Sequence, residues 1–303
     1  MVILKLVRPI NLLLIAFMQF FVEFGLIDPL VPTLNLSSFH FFLLCIATIC
    51  IAAGGNIIND IYDVEIDMIN KPDNVLIGTK ISEKNAVRWY ITFTVIGVCL
   101  GFYLANVIDR PGFAALFVII SALLYLYASY FKGILLLGNI IISLLVSMSI
   151  ILVGLFELLP KLGPENLESY ASIFEIILIY ALFAFQLNFM REIVKDIQDI
   201  NGDKQGGLNT LPIAIGRKRA ATIVFWSGVL TTLFVIVYMY IYLYNIKPLL
   251  LYFLIAVLAP LFYFCIQSWN AKKTKDFALL SSLLKLIMFL GMCSLLLYRF
   301  ITI

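Results

Sequence analysis

Runs of about 20 apolar residues recur from one end of this chain to the other, each long enough to cross a hydrocarbon core of ~30 Å as a helix. Lipid offers no partner to backbone N–H and C=O groups, so such runs must satisfy those groups internally, as helices. Nine spans are legible, at roughly 10–27, 39–62, 86–105, 112–131, 134–156, 172–195, 219–244, 248–269 and 277–300. Turn formers separate them: Asp28-Pro29 and Pro32, Asp109 to Gly112, Lys132-Gly133, Pro160 to Pro164, and Asn245 to Pro248. Only 13% of the 303 residues are charged, against about a quarter in a soluble domain. The sequence therefore predicts a polytopic, all-helical integral membrane protein, and no nucleic-acid partner is expected.

The net charge of +3 says little, but its distribution says more. Alternating the spans puts sixteen Lys and Arg on one side and four on the other, with Lys285 left inside the last span. The basic side is cytoplasmic by the positive-inside rule, which puts the C-terminus outside the cell membrane. Lys5 and Arg8 precede an apolar run without a small-residue cleavage site, so no cleaved signal peptide is expected. The five cysteines fall inside apolar runs and have neither metal-ligand spacing nor a disulfide framework. His40, the one histidine, opens the second span and reads as an interfacial residue.

Two acidic clusters interrupt the apolar pattern, both on the cytoplasmic side. The first closes span 2 as Asn56-Ile-Ile-Asn59-Asp60-Ile-Tyr-Asp63-Val-Glu-Ile-Asp67. At about 100° per residue, Asn56, Asn59, Asp63 and Asp67 share one helical face, with Asp60 beside them. Carboxylates gathered in that way repel unless a cation sits among them, and a hard ion such as Mg²⁺ prefers oxygen ligands. The second cluster, Lys195-Asp196-Ile-Gln-Asp199-Ile-Asn-Gly-Asp203, closes span 6 and is expected to open the long loop 196–218. Ile81 to Ala86 and Ile215 to Ala220 follow the two clusters in parallel, which points to two pseudo-repeated four-helix halves around a central cavity.

Acids at the rim, lysines and arginines among them, and an apolar interior together describe a site for a metal-bridged anion with a lipid tail. A prenyl diphosphate has both parts. Mg²⁺ held by the aspartates would stabilise the leaving diphosphate, and a water-poor chamber would protect an allylic cation. A lipid or ion transporter is the competing class, but transporters place their polar groups near the bilayer centre, in broken helices.

In its motifs the chain resembles the UbiA superfamily of intramembrane prenyltransferases. The matching residues are Asn59-Asp60-x-x-Asp63-x-x-x-Asp67, Asp199-x-x-x-Asp203, Arg8-Pro9 with Asn11, Lys132 followed by Gly138-Asn139, and Gly207 to Pro212. The resemblance implies one prenyltransferase domain over residues 1–303, with its Asp-rich motifs at 59–67 and 196–203. It implies Asp63, Asp67, Asp199 and Asp203 as catalytic carboxylates and, with Asn59, Asp60 and Asp196, as the Mg²⁺ site. Arg8, Asn11, Asn59, Lys71, Tyr125, Lys132, Asn139, Arg191 and Lys195 become candidate substrate-binding residues, and Tyr127 a second candidate chamber aromatic. Two departures bear on substrate. Lys71-Pro72 stands where many relatives have an Arg-Pro run, and Gly133 stands where benzoate-prenylating relatives have an arginine. Tyr62 to Pro72, Lys80-Ile81-Ser82 and Arg191 to Asp199 most resemble the ether-lipid branch, whose acceptor is the hydroxyl of geranylgeranylglyceryl phosphate. An aromatic quinone precursor is the alternative acceptor.

Overall fold

The computed structural model describes residues 2–299, so Phe300, the last residue of the ninth expected span, lies outside them. Among the described residues, nine helices are long and apolar enough to cross a membrane. They are α1 (Pro9–Leu30), α2 (Ser38–Tyr62), α3 (Glu83–Val107), α4 (Pro111–Ser129), α5 (Leu137–Lys161), α6 (Leu167–Gln205), α7 (Arg217–Leu243), α8 (Lys247–Asn270) and α9 (Thr274–Tyr298). Serine caps set two of the starts: Ser37 Oγ accepts from the His40 N–H and Ser82 Oγ from the Asn85 N–H. Both acidic clusters fall at the same end of the bundle, where α2 and α6 finish.

The sixth helix corrects one expectation. The second acidic cluster does not open a loop; it occupies the last turns of a 39-residue helix. Asp196, Asp199 and Asp203 recur there every three or four residues, so helical spacing keeps them on one face and the helix runs on past the apolar stretch. The first cluster is less regular. Its helix breaks at Asp63 (φ −91°, ψ 0°) and resumes as a short helix, Val64–Asn70. The turns stay joined, since Asp63 N–H donates to Asn59 O and Asp67 N–H to Asp63 O.

α2 packs on α3 and α4, α6 packs on α5, α7 and α9, and α1 joins the two groups through α2, α5 and the far end of α9. This is consistent with two related halves. α3, α7 and α8 stand at the periphery, where Ile91, Val95, Leu230, Leu233, Ile255 and Ile266 are exposed, as lipid-facing residues are. Two interior polar side chains tie helices together. Gln19 donates to Thr48 Oγ1 and Ser149 O, and Glu157 accepts from the Asn35 and Leu36 amides, pinning the α1–α2 connection.

Candidate active site

α1, α2, α4, α5, α6 and α9 enclose a cavity of about 590 Å³, within the range of small-molecule sites. Its rim is polar and its depth is lined by side chains such as Met18, Ile51, Phe117, Ile120, Val146 and Leu152.

Two glycines and one asparagine bring the acidic clusters together on this rim. A Cβ on Gly202 would fall 2.4 Å from Asn70 Nδ2 and 2.7 Å from Ile66 O, so only glycine lets α6 lie against the short helix. Asn70 then bridges the elements, donating to Asp199 O (2.9 Å) and accepting from Gly202 N–H (2.9 Å). Lys71 Nζ reaches Asp199 Oδ2 at 2.7 Å. On the facing side, Gly138 lets the start of α5 touch the backbone of Lys132, where a Cβ would meet Lys132 Cα at 2.9 Å. Lys132 pairs with Asp63.

Arg8 is placed with equal care. Its backbone is left-handed (φ 55°), an unfavourable state for arginine, and α2 holds it there. Asn56 Nδ2 donates to Val7 O at 2.9 Å, and one turn later Asp60 pairs with the Arg8 guanidinium.

Charge at the rim is governed by these pairs. Burial disfavours charge on Lys132, but attraction and hydrogen bonding by Asp63 outweigh it and hold the ammonium above its ordinary pKa. Arg8 behaves alike: burial is opposed and exceeded by Asp60, with Asp63 and Asp67 adding to it. Asp67 shifts upward through burial and repulsion from Asp63, partly offset by Lys132, Lys71 and Arg8.

Of the residues expected at the site, Arg8, Asn11, Asn59, Asp60, Asp63, Asp67, Lys71, Lys132, Arg191, Lys195, Asp196, Asp199 and Asp203 all line this cavity. Two do not. Asn139 is buried behind it and donates to Asp196 Oδ2 at 2.8 Å, so it orients that carboxylate. Tyr125 is exposed on the other side of α4 and pairs with the Tyr62 hydroxyl at 3.1 Å. Two residues along a helix is a turn of about 200°, which is why Tyr127 lines the cavity and Tyr125 does not. Two residues were given no role by the sequence: Asn70, which bridges the two clusters, and Glu192, which joins Arg191 and Lys195 and whose signal was its position between two cations on α6. Asn56, placed by the sequence on the acidic face, holds the Val7 carbonyl.

The carboxylates suit a divalent cation in kind, being hard oxygen donors. Asn59 Oδ1 is buried and without a hydrogen-bond partner, as an oxygen kept for a cation would be. They are not gathered on one point: among the described residues no three His, Cys, Asp or Glu side chains converge closely enough to hold a metal ion. Asp63, Asp199, Asp60 and Asp196 are engaged by Lys132, Lys71, Arg8 and Asn139 instead.

The profile of the UbiA prenyltransferase family matches residues 13–298. Digeranylgeranylglyceryl phosphate synthase of Korarchaeum cryptofilum is 30% identical over 262 residues, 85% of this chain and 85% of its own. A solved structure concerning digeranylgeranylglyceryl phosphate synthase in membranes superposes with a TM-score of 0.66 at 23% identity, covering 98% of this chain and 97% of that one. A UbiA homolog from Archaeoglobus fulgidus bound to DMAPP and Mg²⁺ gives 0.61 at 18% identity, covering 97% and 99%. With the profile running from the first membrane helix to the last, this chain belongs to the UbiA prenyltransferase family.

Proposed function

We propose that this prenyltransferase moves a geranylgeranyl group from its diphosphate to the hydroxyl of geranylgeranylglyceryl phosphate. The observation that carries the reading is one cavity with an acidic, lysine-studded rim above an apolar chamber. Support for the acceptor comes from relatives named for that product at 30 to 36% identity, and from Gly133, which offers no guanidinium to a benzoate. In the reaction the bond between the allylic carbon and the diphosphate oxygen breaks. A carbon–oxygen bond forms to the acceptor hydroxyl, and its proton leaves on the diphosphate, so no dedicated base is required.

Asn59, Asp63, Asp67, Asp199 and Asp203 would hold Mg²⁺, with Asp60 and Asp196 supporting them. Bound Mg²⁺ neutralises the diphosphate and stabilises it as a leaving group. Lys71 and Lys132, already seated against Asp199 and Asp63, add positive charge where the diphosphate docks. The apolar walls keep water from the allylic carbon. The chain acts as one unit in the cell membrane, with the site open to the cytoplasm and the C-terminus outside. Pyrophosphate release from geranylgeranyl diphosphate tests this reading. It should require both the glyceryl phosphate acceptor and Mg²⁺, and release that ignores either one contradicts it.

A further inference from the structure

Away from the acidic rim, the wall formed by α6 and α9 carries a second charged group that the carboxylate platform does not use. Arg191, Lys195 and Lys285 all line the cavity. Glu192 Oε1 accepts from Arg191 Nη1 at 3.1 Å and from Lys195 Nζ at 2.7 Å, holding both cations on one side chain. Lys285 rises from α9 and donates to Asn11 Oδ1 at 3.1 Å, a neutral partner. It lies within electrostatic reach of Arg191 and Arg8, both of like charge, and of Glu192.

Two features mark this as an anion site rather than a packing device. Arg191 lines the cavity and is buried, yet its Nε has no hydrogen-bond partner, so one guanidinium donor is left unused beside the cavity. The pairing is also unequal: on this wall Arg191 and Lys195 share one carboxylate, Glu192, and Lys285 is paired with none. A phosphate monoester carries a charge of about −1.5 to −2 at neutral pH and offers three acceptor oxygens. Two lysines of the rim are engaged otherwise, Lys132 by Asp63 and Lys71 by Asp199.

We infer that Arg191, Lys195 and Lys285 form the subsite for the acceptor's phosphate monoester, separate from the rim that takes the diphosphate. This rests on the glyceryl phosphate reading above. Phosphate and reacting hydroxyl sit on neighbouring carbons of such an acceptor, so a phosphate clamped on the α6–α9 wall turns the hydroxyl toward the acidic rim. The role of Lys285 is specific: it discriminates a phosphorylated acceptor from an unphosphorylated one.

The test compares geranylgeranylglyceryl phosphate with geranylgeranylglycerol, using full-length protein in nanodiscs with Mg²⁺. Wild type should prefer the phosphorylated acceptor. Lys285→Met should raise the KM for that acceptor by ~10- to 100-fold, the range for a lost charged hydrogen bond, with a smaller change in kcat. The preference should collapse, and Lys285→Arg should restore most of it. A second measurement needs no variant: glycerol phosphate should compete with the acceptor and not with geranylgeranyl diphosphate. An undiminished preference in Lys285→Met, or competition against the diphosphate alone, overturns the subsite while leaving the acceptor reading intact. Wild-type protein inactive on both glyceryl acceptors overturns the acceptor reading and the subsite with it.

Discussion

Lys71 Nζ lies 2.7 Å from Asp199 Oδ2, so the loop after the first acidic cluster is tied directly to the second. Lys71 is half exposed, and a pair of that kind adds little to stability. Its value is positional. Asp199→Asn should therefore leave the folded protein intact while lowering Mg²⁺-dependent pyrophosphate release by at least ~10²-fold, because it removes a carboxylate proposed to hold the metal that stabilises the leaving group. Turnover in detergent, with thermal unfolding as the control, checks both halves.

Asp63 differs, because its pair with Lys132 is largely buried. Asp63→Asn should lose activity and also stability, on the order of 3 kcal/mol, since a buried ammonium is left without its counter-charge. Adding Lys132→Met should restore the unfolding temperature and not the activity. If the double variant melts no higher than Asp63→Asn, the pair is not what stabilises this corner.

A helix contact rather than a charge is probed by Gly202→Ala. The added methyl would overlap Asn70 and the Ile66 carbonyl, forcing α6 from the short helix and separating the clusters. A loss of about 1–3 kcal/mol, together with activity, is expected. Gly291→Ala, on α9 with nothing within 4 Å of the new methyl, should be neutral or stabilising by about 0.5–1 kcal/mol. Equal effects from the two would contradict the close approach.

The membrane architecture was legible in the sequence because apolar length is a strong signal: each of the nine spans overlaps its helix, and the ends differ by a few residues except at the C-terminus of α6, which runs on to Gln205. The α6 terminus was misjudged because a solvated amphipathic helix and a polar loop share one composition, and only the three-to-four spacing of Asp196, Asp199 and Asp203 separates them. Tyr125 and Tyr127 could not be told apart without knowing which face of α4 meets the cavity. The tie from Lys285 to Asn11 joins residues 274 positions apart, beyond any local pattern. The carboxylates of the two Asp-rich motifs, by contrast, line the cavity, because their spacing already put each set on one face.

The proposed orientation rests on the spans and the basic asymmetry. A reporter inserted near Gly206 should be cytoplasmic, and one fused after Ile303 should be external. A cytoplasmic C-terminus would mean an even number of crossings, and the reading as two related halves would go with it.

The most direct measurement supplies geranylgeranyl diphosphate and Mg²⁺ to the purified protein, with geranylgeranylglyceryl phosphate in one reaction and 4-hydroxybenzoate in another. The digeranylgeranyl ether should form in the first, depend on Mg²⁺, and be accompanied by one pyrophosphate per ether, with no prenylated benzoate in the second. Efficient prenylation of the benzoate with none of the glyceryl phosphate would contradict the proposed acceptor.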